Sequence, residues 1–203
     1  MKNHWDQIYG TKKTSELSWF QKDAGTSLLF IERAKLKSDA HIIDVGGGSS
    51  TLVDALVAKN YHNVSVLDIS GEALRCSKSR LGTGASQINW MEADITQVSL
   101  PQLRYDLWHD RAVFHFLTEK SQRDRYLSQL NRALRPKGSL ILATFSLEGP
   151  EKCSGLDVVR YSPESLGAEL GDSFTLLESS NEVHSTPSGK KQNFVYCLFQ
   201  RQY

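Results

Sequence analysis

"IIDVGGGSST", residues 42–51, is the stretch on which the fold turns. An apolar, β-branched run ends in Asp44, then come three glycines, then hydroxyls. Glycine weakens regular structure, so three in a row directly after a strand mark a place that needs bare backbone. "STLVDALVAK" follows, with Leu52, Leu56 and Val57 on one helical face. The segment therefore reads as strand, glycine turn and helix. The helix N-terminus favours negative charge, and the glycines admit a ligand close to the backbone. A plain tight turn between strand and helix is the alternative reading of the glycines alone.

The same alternation continues outward. "NVSVLDIS" is a second strand, and "GEALRCSKSRL" a second helix with Ser70 as its N-cap. "INWMEAD" is a third strand, and "YDLWHDRAVFHFL" begins as a fourth. "KSQRDRYLSQLNRAL" is a helix with Tyr126, Leu127, Leu130 and Leu134 at helical spacing, closed by "RPKG". "SLILATFS" is a fifth strand, and "SPESLGAEL" a short helix capped by Ser162. The last two strand-like runs, "FTLLESSNEVH" and "QNFVYCLFQR", are joined by "STPSGKK". That link is too short for a crossover helix, so the pair forms an antiparallel hairpin. Five βα units and a hairpin predict an α/β, Rossmann-like, doubly wound fold: a mainly parallel seven-stranded sheet with a C-terminal antiparallel β-hairpin. One domain covers residues 1–203, with 1–39 as an N-terminal helical or lid segment and 40–203 as the core.

The bulk properties fit an ordinary soluble domain. The chain has 203 residues, 39% hydrophobic and 23% charged, with a formal net charge of +1. No basic excess points to nucleic acid. No stretch reaches the roughly 20 apolar residues of a membrane span. The start, "MKNHWDQIYG", lacks the apolar region of a secretory signal. Cys76, Cys153 and Cys197 are scattered, without zinc-type spacing. A cytoplasmic location is the expectation, as monomer or homodimer.

Two further acids narrow the ligand. Asp68 ends the second strand, about two dozen residues after Asp44, where an acid accepts both ribose hydroxyls of an adenosine. Asp94 ends the third, placed to accept from an adenine amino group while Ile69 and Ile95 sandwich the ring. Three acids on one rim of one sheet fit either a dinucleotide or S-adenosylmethionine. The dinucleotide fingerprint GxGxxG fails at its third glycine, where Thr51 stands, and no GK[ST] follows.

With these residues the chain resembles the class I S-adenosylmethionine-dependent methyltransferases. The likeness rests on "DVGGGSS", "VLDIS", "EADI", "YDLWHDRAVFHFL" and "LNRALRPKGSLIL", and spans nearly all of residues 40–203. It implies S-adenosyl-L-methionine as cofactor, with Gly46, Gly47 and Gly48 passing against its aminoacyl part. At "HDRAVFHF" it implies contacts to the methionyl group and the acceptor. Asp110 is assigned to the methionyl ammonium, Arg111 to Asp110 or a carboxylate, and His109 or His115 to a base; His115 and Arg111 are the catalytic candidates. A structural histidine on an amphipathic helix is the other reading of His115. The opening "HWDQIY…SWFQ" is similar to protein-lysine methyltransferases and to the thiopurine methyltransferase lid. Among its aromatics Trp5, Tyr9, Trp19 and Phe20, Trp19 is assigned to the cofactor. The [ND]-PP-[FY] tetrapeptide of adenine and glutamine methyltransferases is absent, and no carboxylate cluster suits a catalytic metal. Lys152, Cys153, Arg160, Tyr161, His184, Thr186, Lys190 and Lys191 sit on loops that face the same mouth, and a basic acceptor site follows if they point inward.

The acceptor is therefore a small molecule or a protein side chain; the lack of an added substrate domain favours the former. A nicotinamide-dependent oxidoreductase and a non-catalytic S-adenosylmethionine-binding protein are the alternatives.

Overall fold

β1 (His41–Val45) is an interior strand of a seven-stranded sheet in a computed structural model that describes all 203 residues. Its neighbours are β2 (Asn63–Asp68) and β4 (Tyr105–Arg111), both parallel to it. β3 (Asn89–Glu92) extends the β2 side, and β5 (Leu134–Phe145) extends the β4 side. β9 (Lys191–Arg201) pairs antiparallel with β5, and β8 (Phe174–Ser185) pairs antiparallel with β9 at the edge. The order is β3-β2-β1-β4-β5-β9-β8, which reverses direction at β1. A cleft opens beyond the strand ends at such a reversal.

Alternate strand residues feed two cores, as the period of two requires. On one face Ile42, Leu107 and Ile141 pack against α2 (Gly25–Arg33), α3 (Leu52–Ala58) and α4 (Gly71–Leu81), through Phe30, Val53, Leu56 and Leu74. On the other Ile43, Trp108, Leu140 and Leu142 pack against α5 (Lys120–Ala133) and α6 (Pro163–Leu170), through Tyr126, Leu130, Leu166 and Leu170. Ser70 and Ser162 cap α4 and α6, accepting from the N–H groups of Ala73 and Ser165.

Four details differ from the sequence reading. The third βα unit has no helix: residues 93–104 link β3 to β4 through turns, with Asp94 accepting from Thr96 N–H at 2.8 Å. "RPKG" lies inside β5 rather than closing a helix, because Leu134 already pairs with Tyr105; Lys137 takes a positive φ of 63° there. Residues 114–116 form a single 3₁₀ turn, so His115 is not on an amphipathic α-helix. A small hairpin, β6 (Lys152–Cys153) and β7 (Leu156–Asp157), was also not foreseen. At the N-terminus α1 (Lys2–Thr11) lies across the strand ends, held by Ser70 Oγ donating to Asp6 at 2.7 Å and by Lys2 pairing with Glu92 at 2.8 Å.

Candidate active site

The cleft beyond β1, β2, β3 and β4 has two chambers that share Tyr9, Trp19, Gly46 and Arg111. The larger, about 790 Å³, is mostly apolar; the smaller, about 480 Å³, is mostly polar.

Asp68, Ile69, Asp94 and Ile95 line the larger chamber together, as their places at consecutive strand ends predict. Asp68 is buried and accepts from Ser70 N–H at 2.8 Å. Burial pushes its carboxyl up to about 7, with the Asp44 charge adding to the rise and the Ser70 and Gly48 amides opposing it. An acid held so is ready to ionise when hydroxyl donors arrive. Met1, Trp5, Tyr9 and Trp19 close the chamber from the N-terminal side, and Val113, Phe116 and Leu117 from the β4 side. The rings meet edge to face: Trp5–Trp19 at 5.6 Å, Trp5–Phe116 at 5.2 Å and Tyr9–Trp19 at 5.9 Å. Trp19 Nε1 donates to Tyr9 Oη at 3.2 Å.

The glycine turn forms the wall between the chambers. Gly46 has φ +71°, and a Cβ there would lie 2.0 Å from Val113 Cγ2. Gly48 lines neither chamber. A Cβ on it would lie 2.5 Å from Asp68 Oδ2, so its smallness serves the acid rather than a ligand directly. Gly47 lines the polar chamber beside Asp44. Arg80 of α4 braces the turn from behind, donating to the Ser49 and Ser50 carbonyls at 3.1 and 2.5 Å.

Two residues that line the polar chamber each hold one buried charged atom without a hydrogen bond. Asp44 Oδ1 bonds His109 Nδ1 at 2.7 Å, while its Oδ2 is buried and free. Arg111 donates from Nε to Tyr196 Oη at 2.9 Å and from Nη1 to Trp19 O at 3.2 Å, while Nη2 is buried and makes no hydrogen bond. The guanidinium stacks 4.4 Å over the Phe194 ring, and Glu182 lies 3.8 Å from Nη2. Buried polar atoms are normally satisfied, so Asp44 Oδ2 without a partner and Arg111 Nη2 with a long ion pair to Glu182 suit a ligand carrying both an ammonium and a carboxylate.

Two assigned residues do not reach the cleft. Asp110 is fully buried, accepting from the amides of Val113 and Phe114 and from Tyr126 Oη at 2.7 Å. It fixes the turn after β4 and has no path to a methionyl ammonium. His115 is fully buried and lines neither chamber. Its Nδ1 accepts from Phe145 N–H at 3.3 Å, and burial pushes the imidazole down to about 3, with the Arg111 charge adding to the fall. A base must be reachable by the group it deprotonates, and this histidine is not.

The basic acceptor mouth is also not assembled. Arg160 binds the Leu147 and Gly149 carbonyls and Glu151, and Lys152 pairs with Asp157. His184 bonds the Ser18 carbonyl at 2.8 Å, and Thr186 accepts from Lys190 N–H within the hairpin turn. Of that set only Cys153 lines the apolar chamber. Sequence reasoning singled out neither Ser27, whose Oγ bonds His109 Nε2 at 2.9 Å, nor Tyr196. Ser27 is distant in sequence from His109, as Tyr196 is from Arg111, and no local pattern marks either.

The chain is similar to several known proteins. A family model described as "Methyltransferase domain" matches residues 42–138, the stretch holding all three strand-end acids. Human EEF1A lysine methyltransferase 2 is 23% identical over 216 aligned residues, covering 98% of this chain and 85% of the relative. A solved structure described by the conversion of a disulfide bond into a thioacetal group during echinomycin biosynthesis superposes with a TM-score of 0.80, at 15% identity, covering 100% of this chain and 92% of that one. The Burkholderia thailandensis 1,6-didemethyltoxoflavin-N1-methyltransferase, solved with S-adenosylhomocysteine, superposes with a TM-score of 0.71 at 13% identity, over 99% of this chain and 84% of that one.

Proposed function

We propose that the chain is a class I S-adenosylmethionine-dependent methyltransferase and that it methylates a lysine side chain of a protein. The nicotinamide alternative falls with that reading. The observation that carries the lysine reading is the relative of that activity, aligned over 98% of the chain, N-terminal helix included. The aromatic wall of Trp5, Tyr9, Trp19 and Phe116 supports it, because ring faces attract an incoming ammonium.

The cleft fits the cofactor on its own evidence: a buried Asp44 Oδ2 without a partner and an Arg111 Nη2 without a hydrogen bond, on residues that line one chamber. Asp68 would take the ribose hydroxyls, Asp94 the adenine amino group, and Ile69 and Ile95 the ring faces. Asp44 and Arg111 would take the amino-acid end. When bound, S-adenosylmethionine supplies a methyl group activated on a sulfonium. The protein's part is then alignment and exclusion of water. A lysine ammonium must lose a proton before it can attack. The apolar chamber favours that loss, since desolvation disfavours the charged amine. No histidine is needed for it.

A second reading, a small-molecule acceptor, is favoured by one feature. Met1, Trp5 and Tyr9 roof the apolar chamber, and α1 is held down at Asp6 and Lys2. An enclosed chamber suits a small acceptor better than a protein side chain. No helix is long and apolar enough to cross a membrane, and all three cysteines are free, which suits a reducing cytoplasm.

The test is incubation with methyl-labelled S-adenosylmethionine and, separately, cell-lysate proteins or a metabolite extract. Label on protein lysine, located by mass spectrometry, supports the first reading. Label confined to the metabolite fraction sinks it in favour of the second.

A further inference from the structure

A chain of side chains behind the polar chamber joins its two charged walls. His109 and Ser27 are 2% exposed, and Tyr196 is fully buried. His109 Nδ1 meets Asp44 Oδ1 at 2.7 Å, and His109 Nε2 meets Ser27 Oγ at 2.9 Å. Ser27 neighbours the Tyr196 hydroxyl, and Arg111 Nε donates to that hydroxyl at 2.9 Å. The order runs Asp44, His109, Ser27, Tyr196, Arg111, drawn from β1, β4, α2 and β9.

Elementary donor chemistry fixes the two ends of the chain. A guanidinium only donates, and an ionised carboxylate only accepts. Arg111 therefore donates to Tyr196, whose hydroxyl neighbours Ser27. With the His109 proton on Nδ1, that nitrogen donates to Asp44 and Nε2 accepts from Ser27 Oγ. Each end of the chain then leaves one charged atom without a hydrogen bond, Asp44 Oδ2 and Arg111 Nη2, and both residues line the same chamber. Ser27 lines neither chamber, so the Asp–His–Ser order is not a nucleophile's triad.

We propose that Ser27, His109 and Tyr196 are positioning residues that lock Asp44 and Arg111 in register, so that the polar chamber selects an adenosyl ligand by its zwitterionic α-amino-acid end. Inside a low-dielectric site, a fixed network holds charged groups at one geometry without reorganisation on binding. The proposal rests on the cofactor reading above and goes beyond it: it assigns selectivity to Ser27 and Tyr196, which line neither chamber, and to His109, which lines the polar one.

The test compares two ligands by calorimetry. S-adenosylhomocysteine carries the amino-acid end; 5′-methylthioadenosine has the same adenosyl thioether without it. The variants are Ser27→Ala, Ser27→Thr and Tyr196→Phe in the full chain, with thermal unfolding measured alongside. In Ser27→Ala and Tyr196→Phe, affinity for S-adenosylhomocysteine falls about three- to tenfold, the loss of one ordering hydrogen bond. Affinity for methylthioadenosine stays unchanged, and Ser27→Thr, which keeps the hydroxyl, restores the wild-type ratio. If Ser27→Ala does not fold, Tyr196→Phe decides, because it keeps the ring. Parallel weakening of both ligands, or no change in either, overturns the proposal. Failure of the wild-type protein to bind S-adenosylhomocysteine overturns the cofactor reading instead.

Discussion

Asp68→Asn separates the fold's use of this carboxyl from the ligand's use of it. In the ligand-free protein Asp68 is buried, lies near Asp44, and has its carboxyl pushed up to about 7. An acid raised in the folded state binds more protons there than in the unfolded chain. Its stabilising contribution is therefore full below the ordinary aspartate range near 4, and is lost as pH rises through about 7. Asparagine does not titrate, so the variant's unfolding temperature should lose this fall between about pH 4 and 7. Ligand binding runs the other way. Ribose hydroxyls donate to the ionised form, so wild-type affinity for S-adenosylhomocysteine should drop as pH falls below about 7, approaching tenfold per pH unit. At pH 8 the variant loses roughly one charge-assisted hydrogen bond, about 1.5–3 kcal/mol, or about ten- to 150-fold in affinity. Calorimetric titration across pH, with thermal unfolding of the unliganded protein, gives both readouts. Unchanged affinity in a folded variant, or an unfolding profile with the same pH slope as wild type, refutes the reasoning.

Three further outcomes follow from the same geometry. Gly46→Ala should lower stability by about 1–2 kcal/mol from backbone strain alone, with more from the Val113 contact, and should abolish S-adenosylhomocysteine binding; thermal unfolding and titration read the two effects. Asp110→Ala should destabilise the protein by roughly 1–3 kcal/mol, by orphaning buried amides and Tyr126, yet leave the affinity of the folded protein unchanged; chemical denaturation beside titration checks it. Trp5→Ala removes the ring that bridges Trp19 and Phe116, so S-adenosylhomocysteine should dissociate faster with little change in global stability, as stopped-flow tryptophan fluorescence would record.

What the sequence discloses and what it hides divide along contact range. The five parallel strands, the hairpin and the shared rim of Asp44, Asp68 and Asp94 follow from period-two runs ending in acids and glycine, all local signals. Placement of Ile69 and Ile95 in the same chamber follows from those strand ends too. Asp110 misleads because a carboxylate at a strand end serves equally well to cap the turn that follows, and only the positions of the Val113 and Phe114 amides distinguish the uses. His115 misleads because its neighbours Phe114 and Phe116 fit an amphipathic helix, whereas the turn is one 3₁₀ step that drives the ring inward. His109 stands in the same stretch, yet its role depends on Ser27, 82 residues away, which no periodicity reports. Likewise the basic loops look like an anion site until their partners, carbonyls and carboxylates of their own loops, are seen.

The most direct test of the central claim is calorimetric titration of the purified wild-type protein with S-adenosylhomocysteine. The two-chamber cleft, with Asp68 and the Asp44–Arg111 pair facing it, predicts a single site of micromolar affinity that tightens as pH rises through about 7. No binding up to millimolar ligand would contradict the account, since the strand-end acids and the glycine wall would then serve the fold alone.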